Sequence, residues 1–397
     1  MNNKEGNGSK EGNKIINKNK GTNSNTNGIK NIFARPNKIL GLSMGIVGLP
    51  NVGKSTLFNA LTNSSVRAEN FAFCTKDPHT GIVKIEDSRL RFLTEKYQPK
   101  KSTNATLTVI DIAGLVKGSS EGVGLGNHFL EHIRRVDGIF LVCRCFDDAE
   151  ITHVEGAVDP INDIEIIKYE LRMKDVEHLQ KAKQKVEKDI RSDPHDKKAR
   201  KNLETVGKMQ KTLETCWIRD ERNWDQDEIA FINTLNLLTV KNVVILANIS
   251  ERHYRERKGN KHLKRVMEKY KHDLLVFSAV HVTEDGSISP EFVEKLVRKG
   301  YDSLDLINYF TAGKDEVKSW TIRRGMKAPE AAGVIHTDFE NYFVSVDVMG
   351  YSDFEQNPSE VKMKAAGKFL QKGKDYTVND GDILHFKANP PKSGKKK

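Results

Sequence analysis

The octapeptide GLPNVGKS at Gly48–Ser55 fits the pattern G-x-x-x-x-G-K-[ST]. It lies between an apolar run, Met44–Val47, and the start of a helical pattern, Ser55–Leu61. In this pattern the glycines let the backbone wrap closely, so that successive N–H groups point at phosphate oxygens. The loop ends at a helix N-terminus, whose dipole favours an anion. The octapeptide therefore predicts a phosphate-binding strand, loop and helix, in which Lys54 reaches the β and γ phosphates and the Ser55 hydroxyl binds Mg²⁺.

Short apolar runs alternate with helical patterns along much of the chain. This alternation is typical of an α/β fold that is built on an open parallel sheet. We expect strands at Met44–Val47, Leu107–Ile112, Gly138–Val142, Val243–Ala247 and Leu274–Phe277.

A helical insertion interrupts the alternation between residues 155 and 235. Residues 163–191 lack Pro and Gly, and their apolar side chains recur at spacings of three and four. A second helical pattern follows Ser192-Asp193-Pro194, where we expect Asp as the N-cap and Pro at the first helical position. Two antiparallel helices with a thin apolar seam predict a coiled-coil arm. A helical hairpin that packs flat on the domain is an equally good interpretation.

The third segment spans residues 305–388 and contains short β-type runs with one helical pattern at 328–335. This mixture predicts a small α+β domain. The runs expected to form strands are Val317–Ile322, Tyr342–Val346 and Ile383–Phe386.

The formal net charge of +11 belongs to two tails. Residues 1–40 carry +6 and residues 387–397 carry +5, which leaves the rest of the chain neutral. The first tail is rich in Asn, Lys and Gly, so we expect residues 1–40 to be disordered and residues 389–397 to form a basic tail. The charge fits either solvated tails or salt-sensitive contact with RNA or a ribosome.

Composition excludes several classes of protein. With 37% hydrophobic residues the chain can form a core, so it is not wholly disordered. No run approaches the roughly 18 apolar residues of a membrane span, and we expect no membrane partner. Four scattered cysteines do not make a disulfide framework, and the N-terminus lacks the apolar region of a secretion signal. A reducing, cytoplasmic location fits best.

A candidate Mg²⁺ site involves three separate parts of the sequence. Asp111 ends the apolar run Leu107–Ile112 and can hold Mg²⁺, and the N–H of the following Gly114 can meet the γ-phosphate. Five glycines in residues 114–126 favour a loop that responds to the γ-phosphate. Thr75, in a polar loop upstream, is placed to complete the coordination shell of Mg²⁺ when the triphosphate is bound. The predicted metal ligands are Ser55, Thr75 and Asp111.

The element expected to recognise the base follows the run Val243–Ala247. Proteins specific for GTP use N-K-x-D here, and the Asp accepts hydrogen bonds from guanine N1–H and N2–H₂. In this chain Asn248 is kept, Ile249 replaces Lys, and Glu251 replaces Asp. The longer carboxylate cannot make the same bidentate contact without a shift, so a bias against adenine is lost.

This set of motifs closely resembles the Obg-like ATPase (YchF) family. The C-terminal stretches Tyr309–Gly313 and Ala331–Glu340 resemble the TGS domain of that family. The motifs that carry the resemblance in the first part of the chain are Gly48–Ser55, Phe73-Cys74-Thr75, Asp111–Gly118 and Asn248–Glu251.

The resemblance covers about residues 42–388 and implies both a fold and a function. The implied fold is a P-loop NTPase with a Ras-like G domain at 41–304, a coiled-coil arm inserted at 155–235, and a β-grasp TGS domain at 305–388. The implied function is hydrolysis of ATP in preference to GTP, in association with ribosomes. Ile249 matches the position whose backbone meets the adenine. The implied phosphate and Mg²⁺ residues are Asn51, Val52, Gly53, Lys54, Ser55, Thr56 and Thr75.

Hydrolysis also requires an oriented water molecule. Many GTPases use a Gln for this purpose, whereas this chain has Leu115, a hydrophobic replacement that the family shares. His153 matches a family histidine that could orient the water, and a structural role is the alternative. Leu141 departs from the family pattern, because relatives often carry His there; we expect this change to alter packing only.

Together these features favour a slow Mg²⁺-dependent ATPase that acts as a molecular switch. Its predicted catalytic groups are Lys54, Gly114 and His153, and a monomer is the expected state. One alternative is a ribosome- or RNA-binding scaffold in which the nucleotide only sets the shape. The other is a switch that prefers GTP.

Overall fold

The computed structural model describes most of the chain outside its two tails. The described residues are 33, 42–64, 79–112, 114, 118, 125–280 and 288–389. The strands are β1 (Ser43–Val47), β2 (Thr80–Lys84), β3 (Lys101–Thr103), β4 (Thr106–Asp111), β5 (Gly138–Arg144), β6 (Asn242–Asn248), β7 (Leu274–Phe277), β8 (Leu306–Ala312), β9 (Glu316–Arg323), β10 (Phe343–Gly350), β11 (Leu370–Lys372) and β12 (Asp382–Ala388). The helices are α1 (Lys54–Ser64), α2 (Ser88–Tyr97), α3 (Leu125–Arg135), α4 (Pro160–Ser192), α5 (Lys197–Thr215), α6 (Gln226–Leu235), α7 (Glu251–Arg255), α8 (Lys261–Lys269), α9 (Pro290–Leu304), α10 (Ala328–Ile335), α11 (Thr337–Asn341), α12 (Tyr351–Gln356) and α13 (Glu360–Ala365).

The first sheet has the strand order β2-β4-β1-β5-β6-β7. The central strands β1 and β5 are buried along their whole length, which explains their continuous apolar sequences. All pairs are parallel except β2 with β4, which is antiparallel. The expected α/β fold is confirmed, with an antiparallel edge strand that the apolar runs did not indicate. The carboxyl ends of the parallel strands meet at one edge, and the loop Gly48–Gly53 leaves from it.

The second sheet has the order β11-β10-β12-β8-β9-β3 and carries α10 against one face. The helix and the expected strands near residues 317, 343 and 383 are confirmed. Residues 88–103 come from the segment expected to form the nucleotide-binding domain, yet they pack here. Leu90 and Leu93 of α2 share a core with Phe310 and Val317, and β3 pairs with β9.

The helical insertion begins and ends at well-defined caps. Asp159 accepts hydrogen bonds from the first turn of α4, and Pro160 occupies the first helical position. The chain breaks after Ser192, as expected, but the predicted cap of the second helix was wrong. Asp196, not Asp193, caps α5, because its Oδ1 accepts from the N–H groups of Lys198 and Ala199.

The two halves of α4 pack against different partners. Ile164, Ile167 and Leu171 belong to the core of the first sheet. Beyond them, Leu179 packs in a separate core with Val206 and Met209 of α5, together with residues from α6. The first half of α4 thus lies on the nucleotide domain and the second half pairs with α5, while a supercoiled arm stays a prediction. Within the described ranges, no helix combines the length and apolar character needed to cross a membrane.

Candidate nucleotide-binding site

The loop between β1 and α1 has a backbone that only certain residues can adopt. Asn51 has φ of 61° and Gly53 has φ of 99°, both in the left-handed region. A Cβ on Gly53 would lie 2.5 Å from Nδ2 of Asn248, so this position also lacks room for a side chain. The predicted phosphate residues Asn51 to Thr56 therefore form one loop and helix start, with Ser55 and Thr56 exposed at the beginning of α1.

Lys54 lies almost fully inside the site. Its side chain is 7% exposed, and Nζ donates a hydrogen bond of 2.7 Å to the carbonyl of Leu49. Burial lowers the pKa of Lys54 to about 8, and the negative charge of Asp111 opposes this shift. A desolvated ammonium beside a loop of N–H donors is well suited to bind phosphate oxygens.

Asp111 and Gly114 come together with Lys54. Asp111 ends β4 beside Ile46 of β1, and its Oδ1 is buried without a hydrogen-bond partner among the described residues. A Cβ on Gly114 would lie 3.2 Å both from Lys54 Nζ and from Cγ of Pro50, so Gly114 lies directly against the loop.

An orphaned carboxylate oxygen and an exposed Ser55 hydroxyl fit a Mg²⁺ ion that shares its shell with phosphates and water. Such an ion, when bound, would neutralise charge on the phosphates. The described residues contain no cluster of three or more His, Cys, Asp or Glu side chains that could hold a metal by themselves. Thr75, the remaining predicted ligand, lies outside the described residues.

The Asn248 side chain bonds to two loops of the site. Its Nδ2 donates to the carbonyl of Val52 at 2.9 Å, and its Oδ1 accepts from the N–H of Ala279 at 3.0 Å. The side chain of Asn248 is 3% exposed and thus joins the phosphate loop to the loop after β7. Because both ends of its amide are engaged by the backbone, Asn248 positions the two loops.

Ile249 and Glu251, which replace the Lys and Asp of a guanine-binding element, both make contacts within the protein. The Ile249 side chain is buried in the core, and its N–H donates to the carbonyl of Phe277 at 2.9 Å. Glu251 lies in the first turn of α7, where its carboxylate pairs with Arg255 at 2.6 Å. This ion pair holds the Glu251 carboxylate beside Arg255, one turn further along the same helix.

His153 is held at both ring nitrogens. Nδ1 accepts from the N–H of Glu155 at 3.2 Å, and Nε2 lies 3.0 Å from Oδ2 of Asp163 on α4. The first bond requires an unprotonated Nδ1, so the proton of the neutral ring is on Nε2 and is donated to Asp163. To orient a water molecule, His153 would have to exchange one of these bonds. Its catalytic role stays a prediction.

The loop after β5 is anchored by a residue that the motifs did not indicate. Arg144 is 1% exposed, and its guanidinium donates to the carbonyls of Phe146, Asp148 and Ile151 at 2.9 to 3.1 Å. The next carbonyl, that of Thr152, accepts from Nδ2 of Asn51 at 3.3 Å. Arg144 therefore shapes a loop that contacts the phosphate loop. An arginine inside an otherwise apolar strand was the available signal.

Two family models match the chain. One, for the C-terminal domain of YchF GTPases and described as a protein of unknown function, matches residues 306–389. The other, described as 50S ribosome-binding GTPase, matches residues 43–186. The second match contains the phosphate loop, Asp111, Gly114 and His153, and the first contains every strand of the second sheet except β3.

Known proteins are similar over most of the chain. The chain is 45% identical to Obg-like ATPase 1 of Xenopus laevis and to that of Homo sapiens, over 381 residues that cover 90% of this chain and 94% of each relative. The Obg-like ATPase 1 of Oryza sativa subsp. japonica is 44% identical over 374 residues. The solved structure of the YchF GTPase of Schizosaccharomyces pombe is 43% identical, with a TM-score of 0.76, and the match covers 87% of this chain and 98% of that one.

Proposed function

This chain belongs to the Obg-like ATPase (YchF) family, and we propose that it hydrolyses ATP to ADP and phosphate with Mg²⁺ and prefers ATP over GTP. It is a nucleotide-hydrolysing switch of the P-loop class. The observation that carries the proposal is the meeting of Lys54, Asp111 and Gly114 at the loop Gly48–Gly53. Positioning and charge stabilisation are what phosphoryl transfer requires from a protein, and these groups supply both.

The preference for ATP rests on the base-side element. A guanine-binding Asp must point two acceptor oxygens at N1–H and N2–H₂ of the base. Here Glu251 is paired with Arg255 on α7, and the Lys of the guanine-binding pattern is replaced by the buried Ile249. Without that carboxylate clamp the site loses its discrimination against adenine, which offers an acceptor at N1. The backbone of Ile249 is the proposed contact to the adenine.

ATP should displace a fluorescent ATP analogue from the Mg²⁺-loaded protein at least roughly tenfold better than GTP, a difference of about 1.4 kcal/mol. The reason is the missing guanine clamp. The measurement is competition by unlabelled nucleotides followed by fluorescence. UTP serves as the matched control, because it presents the same triphosphate without a purine. Displacement by GTP that equals or exceeds that by ATP would identify a GTP-preferring or dual-specificity switch.

We also propose that the metal is held by the Ser55 hydroxyl, by Thr75 and, through water, by Asp111. The support is the orphaned Oδ1 of Asp111 beside Lys54 and the exposed position of Ser55 at the start of α1. His153 is the proposed group that orients the attacking water, in a loop that already contacts Asn51.

Association with ribosomes, and hence a cytoplasmic location, is a further part of the proposal. The far end of the helical hairpin supports it, because basic side chains are exposed on both helices there. Lysine and arginine side chains that meet phosphates release counterions on binding. The exposed basic residues at this end are Lys183, Lys185, Lys188, Arg191, Lys197, Lys198 and Arg200.

The full chain should sediment with ribosomes at low salt and be released as salt is raised, with log affinity falling linearly with log salt concentration. The measurement is a ribosome pelleting assay over a salt series. Replacing Lys183, Lys185 and Lys188 together with Gln should make this slope shallower. The same change at Lys84, Lys96 and Lys264 provides a charge-matched control. A slope of zero, or equal slopes for the two triple variants, would exclude the hairpin as the contact.

A further inference from the structure

Two buried carboxylates lie on the same face of α4. Asp163 and Glu170 are each 2% exposed, and they are seven residues apart, which is two helical turns or about 10 Å along the axis. Between them Ile164 and Ile167 pack into the core of the first sheet. Acidic side chains are almost never fully buried unless they are paired. Their partners therefore indicate why they are on this face.

Each carboxylate holds one loop of the nucleotide site. Asp163 accepts from His153 at 3.0 Å in the loop after β5. Glu170 accepts from the N–H of Gly118 at 2.7 Å in the loop after β4. Gly118 has φ of 83°, a backbone conformation that glycine adopts without strain. The insertion helix is thus bonded to both loops that leave the sheet beside the phosphate loop.

Both bonds lie close in the chain to residues that contact the loop Gly48–Gly53. Gly118 is four residues beyond Gly114, which lies against Pro50 and Lys54. Thr152, adjacent to His153, accepts from Asn51. A change in the position of either loop would therefore act on α4 through the bonds of Glu170 and Asp163. Coupling between two sites is reciprocal, so the position of α4 must affect the loops equally.

We propose that Glu170 is a positioning residue that couples the helical insertion to ATP hydrolysis, by fixing the loop of Gly114 and Gly118 against the phosphate site. The proposal rests on the ATPase activity proposed above. The contact between Glu170 and Gly118 should have two consequences. Turnover depends on the Glu170 acceptor, and the bound nucleotide changes the stability of the helical hairpin.

Glu170→Ala and Glu170→Leu, which lack the acceptor, should lower kcat for ATP about tenfold and leave the affinity for a non-hydrolysable ATP analogue within about threefold. A displaced loop costs rate because small misplacements of catalytic groups are expensive. Glu170→Gln keeps an acceptor oxygen for the Gly118 N–H, so its kcat should stay within about threefold of the wild type. Glu204→Leu on α5 is the matched control, because Glu204 is an exposed glutamate of the same hairpin.

Amide hydrogen exchange on the full chain supplies the second readout. In the wild type, the ATP analogue should change the protection of amides in residues 160–175 and along α5. In Glu170→Ala this difference should become smaller while the analogue still binds, because the bond between Asp163 and His153 remains. A kcat and an exchange pattern unchanged in Glu170→Ala would overturn the proposal, and so would a Glu170→Gln variant as slow as Glu170→Ala. A wild-type chain that neither binds nor hydrolyses ATP would instead overturn the proposed function.

Discussion

Replacing Lys54 with alanine should lower the kcat of ATP hydrolysis by at least about hundredfold, the loss typical of removing one preorganised charge from a transition state. The ammonium is already desolvated and lies between Asp111 and Gly114, where charge on the β and γ phosphates must be stabilised. No other lysine or arginine occupies that position in the loop Gly48–Ser55. The measurement is phosphate release under saturating Mg²⁺ and ATP.

The same substitution should have little effect on the stability of the fold. Burial lowers the pKa of Lys54 from 10.5 to about 8, so the charged form is disfavoured in the folded protein relative to the unfolded chain. Removing it relieves this cost at neutral pH but also removes the hydrogen bond to the Leu49 carbonyl and the buried stem, so we expect only a small change in Tm. Lys264→Ala, an exposed lysine of α8, should change neither turnover nor Tm. A Lys54→Ala variant that folds and still hydrolyses ATP at the wild-type rate would remove Lys54 from the mechanism.

His153→Ala, measured beside Lys54→Ala, separates binding from water activation. Lys54 is the proposed phosphate contact, so its loss should weaken both affinity and turnover. His153 is bonded to Asp163 and Glu155 and not to the phosphate loop, so its loss should lower turnover alone. Unchanged turnover in His153→Ala would assign the residue to structure. Ribosome binding retained in Lys54→Ala, with cellular function intact, would favour the scaffold alternative over the switch.

Most of the first sheet could be predicted because its signals are local. Apolar runs predict strands, and β1, β4, β5, β6 and β7 all lie where such runs occur; β1 and β5 are buried along their whole length. The edge strand β2 has only the alternating burial of a half-exposed strand, and its sequence TGIVK contains no long run. The strand therefore lacks the apolar run that predicts a buried parallel strand.

Long-range pairing explains what the sequence did not indicate. β3 has three residues and joins the far sheet through β9, more than 200 residues away along the chain. Its partner helix α2 looks like an ordinary amphipathic helix whose apolar face could cover either sheet. The contacts of α2 with the second sheet specify which one, and they include the packing of Leu90 and Leu93 and the ion pair of Arg89 with Asp380 at 2.8 Å. Such a choice depends on the whole fold and leaves no local pattern.

The phosphate loop was predictable residue by residue, whereas its supports were not. The motif specifies the residues that we propose to touch phosphate, which are Lys54, Ser55 and their neighbours. Arg144 and Glu170 bind backbone groups of loops, which any residue can provide, and Asp163 binds the ring of His153. Their one signal was position, because each is a charged residue inside an apolar stripe.

Asp111 differs from these supports, because it combines a motif position with an unmet hydrogen-bonding need. Its Oδ1 is buried without a partner among the described residues, which is costly for a carboxylate. Its negative charge also favours the charged form of Lys54, so the pKa of that lysine falls less than burial alone would lower it. A hydrated Mg²⁺ would supply donors to Oδ1 and offset its negative charge. We therefore propose two separable roles for Asp111, one toward the metal and one toward the lysine.

Asp111→Asn should raise the Mg²⁺ concentration needed for half-maximal hydrolysis by about 10- to 100-fold, the usual cost of losing a group that orients a metal-bound ligand. The amide is neutral and loses one of the two carboxylate acceptors, so it attracts hydrated Mg²⁺ weakly. Nucleotide binding in EDTA should change much less, because it depends on the loop Gly48–Ser55. Asp302→Asn, at an exposed position of α9, is the matched control. The measurement is turnover across a Mg²⁺ titration at saturating ATP. An unchanged Mg²⁺ midpoint with a lowered kcat would show that Asp111 acts through Lys54 and not through the metal.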